Sequence, residues 1–141
     1  MHRFRIIAAL AAALALSACQ SPGPPLAHAG GNPVTGSWGG DHISLIMGPT
    51  SGRLEYDCAS GEIDGPLLVD QAGRFTASGY HSPGHGGPDR QGYEPPRLAA
   101  LYSGQVHRDA MTLTVSVPST GIQIGPLTLR RNAQPMLMRC L

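Results

Sequence analysis

Residues 37–141 predict a small all-β domain, an eight-stranded up-and-down meander barrel, with a two-sheet β-sandwich as the runner-up. Three observations predict it. Short β-branched and apolar runs recur at regular spacing, separated by Gly, Pro, Asp and Asn. No stretch places apolar residues at i, i+3, i+4 and i+7 between helix caps. The connections are mostly short, so strands adjacent in sequence can pair in space. Eight strands are enough to close a barrel and remove its exposed edges.

The first strand is read at 37–47, ending before Gly48-Pro49-Thr50-Ser51-Gly52. The second, 53–59, alternates Leu54, Tyr56 and Cys58 with Glu55 and Asp57. Ser60-Gly61 turns into the third at 62–69, and Asp70-Gln71-Ala72-Gly73 into the fourth at 74–81, with Phe75 and Ala77 on one face. A long Gly/Pro loop covers 82–96 before the fifth strand at 97–107. Arg108-Asp109 makes a tight turn. The sixth strand, 110–117, sets Met111, Leu113, Val115 and Val117 against Thr112, Thr114 and Ser116. Pro118 to Gly121 turns into the seventh, 122–131, with a bend expected at Gly125-Pro126. Asn132 to Pro135 turns into the last, 136–141.

The amino-terminal residues read differently. His2, Arg3 and Arg5 precede the apolar run Ile6 to Leu16, which is too short to span a bilayer. This is the pattern of a signal peptide, assigned to 1–18. Leu16-Ser17-Ala18-Cys19 resembles a bacterial lipobox. That resemblance implies lipidation of Cys19 and cleavage before it. Gln20 is not the aspartate associated with inner-membrane retention, which favours the outer membrane, with the domain facing the periplasm. Residues 19–36 then form a Pro-rich, later Gly-rich tether.

Composition narrows the rest. The chain has 141 residues and no lysine. Without Arg3 and Arg5, eight arginines face nine acidic residues, a formal charge of −1. No basic patch is left for nucleic acid, which needs a positive footprint. Two cysteines remain, Cys58 and Cys140. In an oxidising envelope the pair is most simply a disulfide, and buried free thiols are the alternative. Neither cysteine has a second cysteine or a histidine at zinc-ligand spacing.

Gly36-Ser37-Trp38 resembles the Gly-x-Trp that opens the first strand of lipocalins and avidin-like proteins, the calycin barrels. In those barrels an Arg or Lys of the last strand packs over the Trp, and Arg139 is the matching residue here. A guanidinium on an indole is a favourable contact that also caps the barrel end. The stretches Trp38 to Ile43, Leu54 to Gly61 and Arg139-Cys140-Leu141 resemble an uncharacterised bacterial family, which carries no known activity. Tyr56-Asp57-Cys58 with a cysteine near the carboxyl terminus resembles the lipoprotein inhibitors of C-type lysozyme. That resemblance implies a lipid-anchored, disulfide-bridged eight-stranded barrel. Their Ser-Gly-x-x-Tyr inhibitory segment has no match after the fourth strand.

Asp41, His42, Glu55, Asp57, Glu62 and Asp64 form the most suggestive polar set. His42, Glu55 and Asp57 could hold a divalent metal or perform acid/base work. A solvated row of cross-strand charges is the plainer reading. His81, His85 and Tyr93 mark a contact loop, since long loops often carry function. No phosphate loop and no Gly-x-Ser-x-Gly elbow occurs. Met111, Met136 and Met138 are assigned to core packing, although methionines also suit adaptable pockets. The expectation is a lipid-anchored envelope barrel without a cofactor that binds a small apolar ligand or an envelope protein. The alternatives are a periplasmic enzyme inhibitor or structural accessory, and a metal-binding enzyme.

Overall fold

The computed structural model describes residues 31–140. The expected leader 1–18 and the expected lipidation position Cys19 lie outside the described residues. All regular structure in residues 31–140 is β. Ten strands form among them, in order: β1 Asn32–Val34, β2 Gly36–Gly40, β3 Ile43–Met47, β4 Ser51–Tyr56, β5 Ala59–Asp64, β6 Leu67–Val69, β7 Arg74–Pro83, β8 Leu98–His107, β9 Ala110–Val117 and β10 Ile122–Arg131. Eight of them close an antiparallel up-and-down barrel in the order β10-β2-β3-β4-β5-β7-β8-β9. This is the expected fold, and it is compatible with a calycin-like barrel.

The strands differ from expectation in five places. The stretch 37–47 is a hairpin, not one strand: β2 turns at Asp41-His42 into β3, and His42 takes φ 69°. The turn expected at Ser60-Gly61 falls instead at Asp57-Cys58, with Cys58 at φ 60°. The stretch 62–69 breaks at Gly65, φ 77°, into β5 and β6. Asn32–Val34, read as tether, is a strand paired with β6. Residues 136–140 form no strand; Met136 makes one isolated bridge to Asp41. The bend at Gly125-Pro126 is present as a register shift between Ile124 and Leu127.

Alternation along the strands fills the interior. Trp38, Ile43, Leu45, Leu54, Tyr102, Met111, Leu113, Val115, Val117 and Leu129 are each at most 1% exposed. Burying one large aliphatic side chain contributes about 1.5–3 kcal/mol, so this set dominates stability. Close strand approach leaves no room for a side chain at inward positions such as Gly79 and Gly104. A Cβ on Gly79 would stand 1.9 Å from the Glu62 carbonyl oxygen, and one on Gly104 1.9 Å from that of Thr112.

The two ends of the barrel are built differently. At the entry end the chain arrives through β1, and Val34 and Leu67 of the β1–β6 ribbon join the core from below. Arg131 completes this end, its guanidinium 4.2 Å from the centre of the Trp38 ring. Its Nη1 donates to the Thr35 carbonyl at 3.0 Å, and its Nε lies 3.4 Å from Asp109 Oδ1. The arginine over Trp38 is therefore Arg131 and not Arg139. The reason is topological: the last barrel strand is β10, which pairs Arg131 with Trp38, whereas Arg139 lies on the segment beyond it.

That segment, 132–140, is a strap. Asn132, at φ 56°, turns the chain back along β2 toward the opposite end, the loop end. Asn132 N donates to Ser37 O at 2.8 Å, and Met136 N to Gly40 O at 3.1 Å. His42 N donates to Met136 O at 2.8 Å. Cys140 then meets Cys58 in a disulfide, with Cα atoms 5.1 Å apart.

Candidate loop-end binding site

Five pieces of chain lie at the loop end: the Asp41-His42 turn, the Asp57-Cys58 turn, the loop 84–97 between β7 and β8, the 118–121 turn between β9 and β10, and the strap. Hairpin register brings the first two together. Ile43 pairs with Tyr56, so the turn residues just beyond them, His42 and Asp57, face each other. His42 Nδ1 hydrogen-bonds Asp57 Oδ2. The other carboxylate oxygen, Oδ1, accepts the Met138 backbone N–H at 2.6 Å. That backbone bond is the main cause of a carboxyl pKa held below its ordinary value; partial desolvation opposes it and the His42 bond reinforces it.

The loop has its own internal contacts. Gly84 N donates to Cys58 O at 2.8 Å, which ties the loop to the disulfide turn. His85 Nε2 stands 3.0 Å from Asp89 Oδ1, and the His85 and Tyr93 rings meet edge to face with centroids 4.8 Å apart. Arg97 ends the loop, donating to Glu62 Oε2 at 2.6 Å and lying 4.2 Å over the Tyr80 ring. Between loop and strap an open pocket of about 820 Å³ is lined by Glu55, Tyr56, Pro83, Tyr93, Leu137 and Met138, among others. Apolar side chains around it reach solvent: Tyr93 is 44% exposed, Met136 65% and Met138 64%. Of the three methionines assigned to the core, Met111 alone is buried in it; Met136 and Met138 belong to the strap, which crosses the outside of the barrel.

Beneath the pocket lies a polar layer. Tyr102 Oη donates to Tyr80 O at 2.5 Å, and Tyr56 Oη lies 3.5 Å from Tyr102 Oη. Burial is the main cause of a raised pKa for both phenols. His81, 3% exposed, stands beside them, its ring centroid 5.9 Å from that of Tyr56. Its Nδ1 has no hydrogen-bond partner among the described residues. Burial pushes its pKa down, so the ring is held neutral.

The expected site residues thus separate. His42 and Asp57 come together. Glu55 lies on the outer surface at the pocket and, among the described residues, joins neither of them in a hydrogen bond or ion pair. Among the described residues no group of three or more His, Cys, Asp and Glu side chains is placed to hold a metal ion. His85 and Tyr93 share the loop, while His81 sits on β7 and faces the interior. Two features escape the sequence reading: the strap, whose Met136 and Met138 bracket Leu137 at the surface, and the Tyr56–His81–Tyr102 layer. The second leaves a signal, since all three residues occupy inward phases of their strands. In comparisons with known proteins no family model matches the chain, nor does any curated protein or solved structure.

Proposed function

We propose that this chain is a lipid-anchored envelope barrel that binds an envelope protein through its loop end and catalyses nothing. The observation that carries this reading is the contrast between a filled interior and an apolar, pocketed loop end. Trp38, Tyr102 and the aliphatic core occupy the space that a ligand-carrying barrel would leave open. Tyr93, Leu137 and Met138, by contrast, stand where a partner could cover them.

The direction of the chain supports the same reading. Gly31 enters at the opposite end, beside β6. A tether running back to a lipidated Cys19 would therefore attach at the end opposite the loop end and leave the loop end free for a partner. From Cys19 to Gly30 such a tether spans at most about 40 Å at full extension.

Site-specific photocrosslinking in cells tests the proposal. A crosslinker at Tyr93 or Leu137 of the full chain is expected to give one discrete protein adduct, and one at Leu68 or Gln71 of the entry end none. Adducts only from the entry end, or no discrete adduct from the loop end, would overturn it. Native mass spectrometry of residues 20–141 adds a second check. An apolar small molecule retained by the purified protein would favour ligand carriage instead.

A further inference from the structure

We propose that the loop end carries a soft-metal site, a Cu(I) ion bound by the thioethers of Met136 and Met138 and by Nε2 of His42. The inference stands apart from the docking reading, and either can fail alone.

Backbone contacts put the three residues side by side. Met136 is fixed to the turn that bears His42, accepting from His42 N at 2.8 Å and donating to Gly40 O at 3.1 Å. Met138 is fixed to the same imidazole through one carboxylate: Asp57 Oδ1 accepts the Met138 N–H at 2.6 Å, and Oδ2 bonds His42 Nδ1. Asp57 therefore clamps the strap and the ring together.

The chemistry of the set follows. Asp57 engages Nδ1, which leaves Nε2 as the ring nitrogen open to a metal, and the side chain is 54% exposed. A ligating histidine commonly donates its other N–H to a carboxylate in this way. Met136 and Met138 are 65% and 64% exposed although thioethers gain by burial. Met136 N and Met138 N both donate toward the barrel, as the amides of residues i and i+2 in an extended chain do, which sets the two side chains on one side of the strap. Two sulfurs and one imidazole nitrogen make a soft donor set, which selects Cu(I) over Zn²⁺, Mg²⁺ or Ca²⁺. The Cys58–Cys140 disulfide pins the strap two residues beyond Met138 and removes both thiols as competing ligands.

Silver(I) is the probe, because it shares the charge and softness of Cu(I) and needs no reductant, so the disulfide stays closed. The full mature chain is expected to retain one Ag(I) in native mass spectrometry. The methyl resonances of Met136 and Met138 should shift on binding, and those of the buried Met47 and Met111 should not. The Met136→Leu/Met138→Leu double variant should lose the ion with an unchanged melting temperature, since both side chains are exposed. Asp57→Asn should weaken binding about 10- to 100-fold, the usual effect of losing such a supporting carboxylate. No retained Ag(I), retention by the double variant, or preference for Zn²⁺ over Ag(I) would overturn the proposal.

Discussion

Replacing Arg131 with alanine uncaps the entry end, and the loss can be worked out contact by contact. The guanidinium lies 4.2 Å from the Trp38 ring centre, and Trp38 is 1% exposed. With the indole buried but the guanidinium still partly in water, such a cation–π contact contributes about 1 kcal/mol. The Nη1 bond to Thr35 O, at 3.0 Å, has a charged donor and adds about 1.5 kcal/mol. The Asp109 pair joins side chains 37% and 79% exposed and adds less than about 0.5 kcal/mol. Arg131→Ala should therefore cost about 2.5 to 3 kcal/mol, or roughly 10 to 12 °C in Tm at about 4 °C per kcal/mol for a domain of this size. Urea unfolding followed by the fluorescence of Trp38, the only tryptophan in the chain, measures it. Arg139→Ala should stay within about 0.5 kcal/mol of wild type. An Arg131→Ala cost below about 0.5 kcal/mol, or an equal cost at Arg139, would refute this account of the cap.

Three further outcomes are expected. His81 has a folded pKa below 6.5, so below that pH the unfolded chain binds a proton that the buried ring refuses; stability should fall as pH drops from about 6.5, and His81→Gln should flatten the urea midpoint against pH. A Cβ at Gly61 would stand 2.4 Å from Tyr102 Oη and 2.8 Å from Tyr56 Oη, so Gly61→Ala should cost about 1–3 kcal/mol, with partial recovery when Tyr102→Phe is added, read in a double-mutant cycle. The Cys58–Cys140 bond closes a separation of 82 residues, worth at most about 4.5 kcal/mol; Cys58→Ser/Cys140→Ser should cost less than that, because the exposed strap also gains freedom in the folded state, and hydrogen exchange should rise at 133–140 while the barrel stays protected.

The strand count is legible in the sequence, but two of its parts are not. Reading 37–47 as one strand misses a turn, because Asp41-His42 carries no Gly, Pro or Asn and a histidine supplies the left-handed residue. Reading 136–141 as a strand adds one back, because Met136, Leu137 and Met138 look apolar enough to be buried. The two errors offset, so eight strands result from different segments. Where alternation is clean, as in 110–117, the bounds agree with the structure, and those of 122–131 agree as well. The Trp38 partner is misplaced for the same reason as the last strand: taking 136–141 as the closing strand moves the arginine from Arg131 to Arg139. At the site, the pairing of His42 and Asp57 is legible because hairpin register follows from local turns. The pairing of strap and carboxylate is not, since Asp57 and Met138 are 81 residues apart and no local pattern joins them.

The β1–β6 ribbon sets the order in which the molecule would yield to a pull from its amino-terminal side. Tension on Gly31 first meets three register pairs, Asn32 with Val69, Pro33 with Leu68 and Val34 with Leu67. Next in line is Thr35, held by Arg131. Only then does the load reach β2 and the barrel wall. A short ribbon in series with a closed barrel acts as a mechanical fuse: it can peel and free the chain ahead of β2 while the loop end keeps its shape.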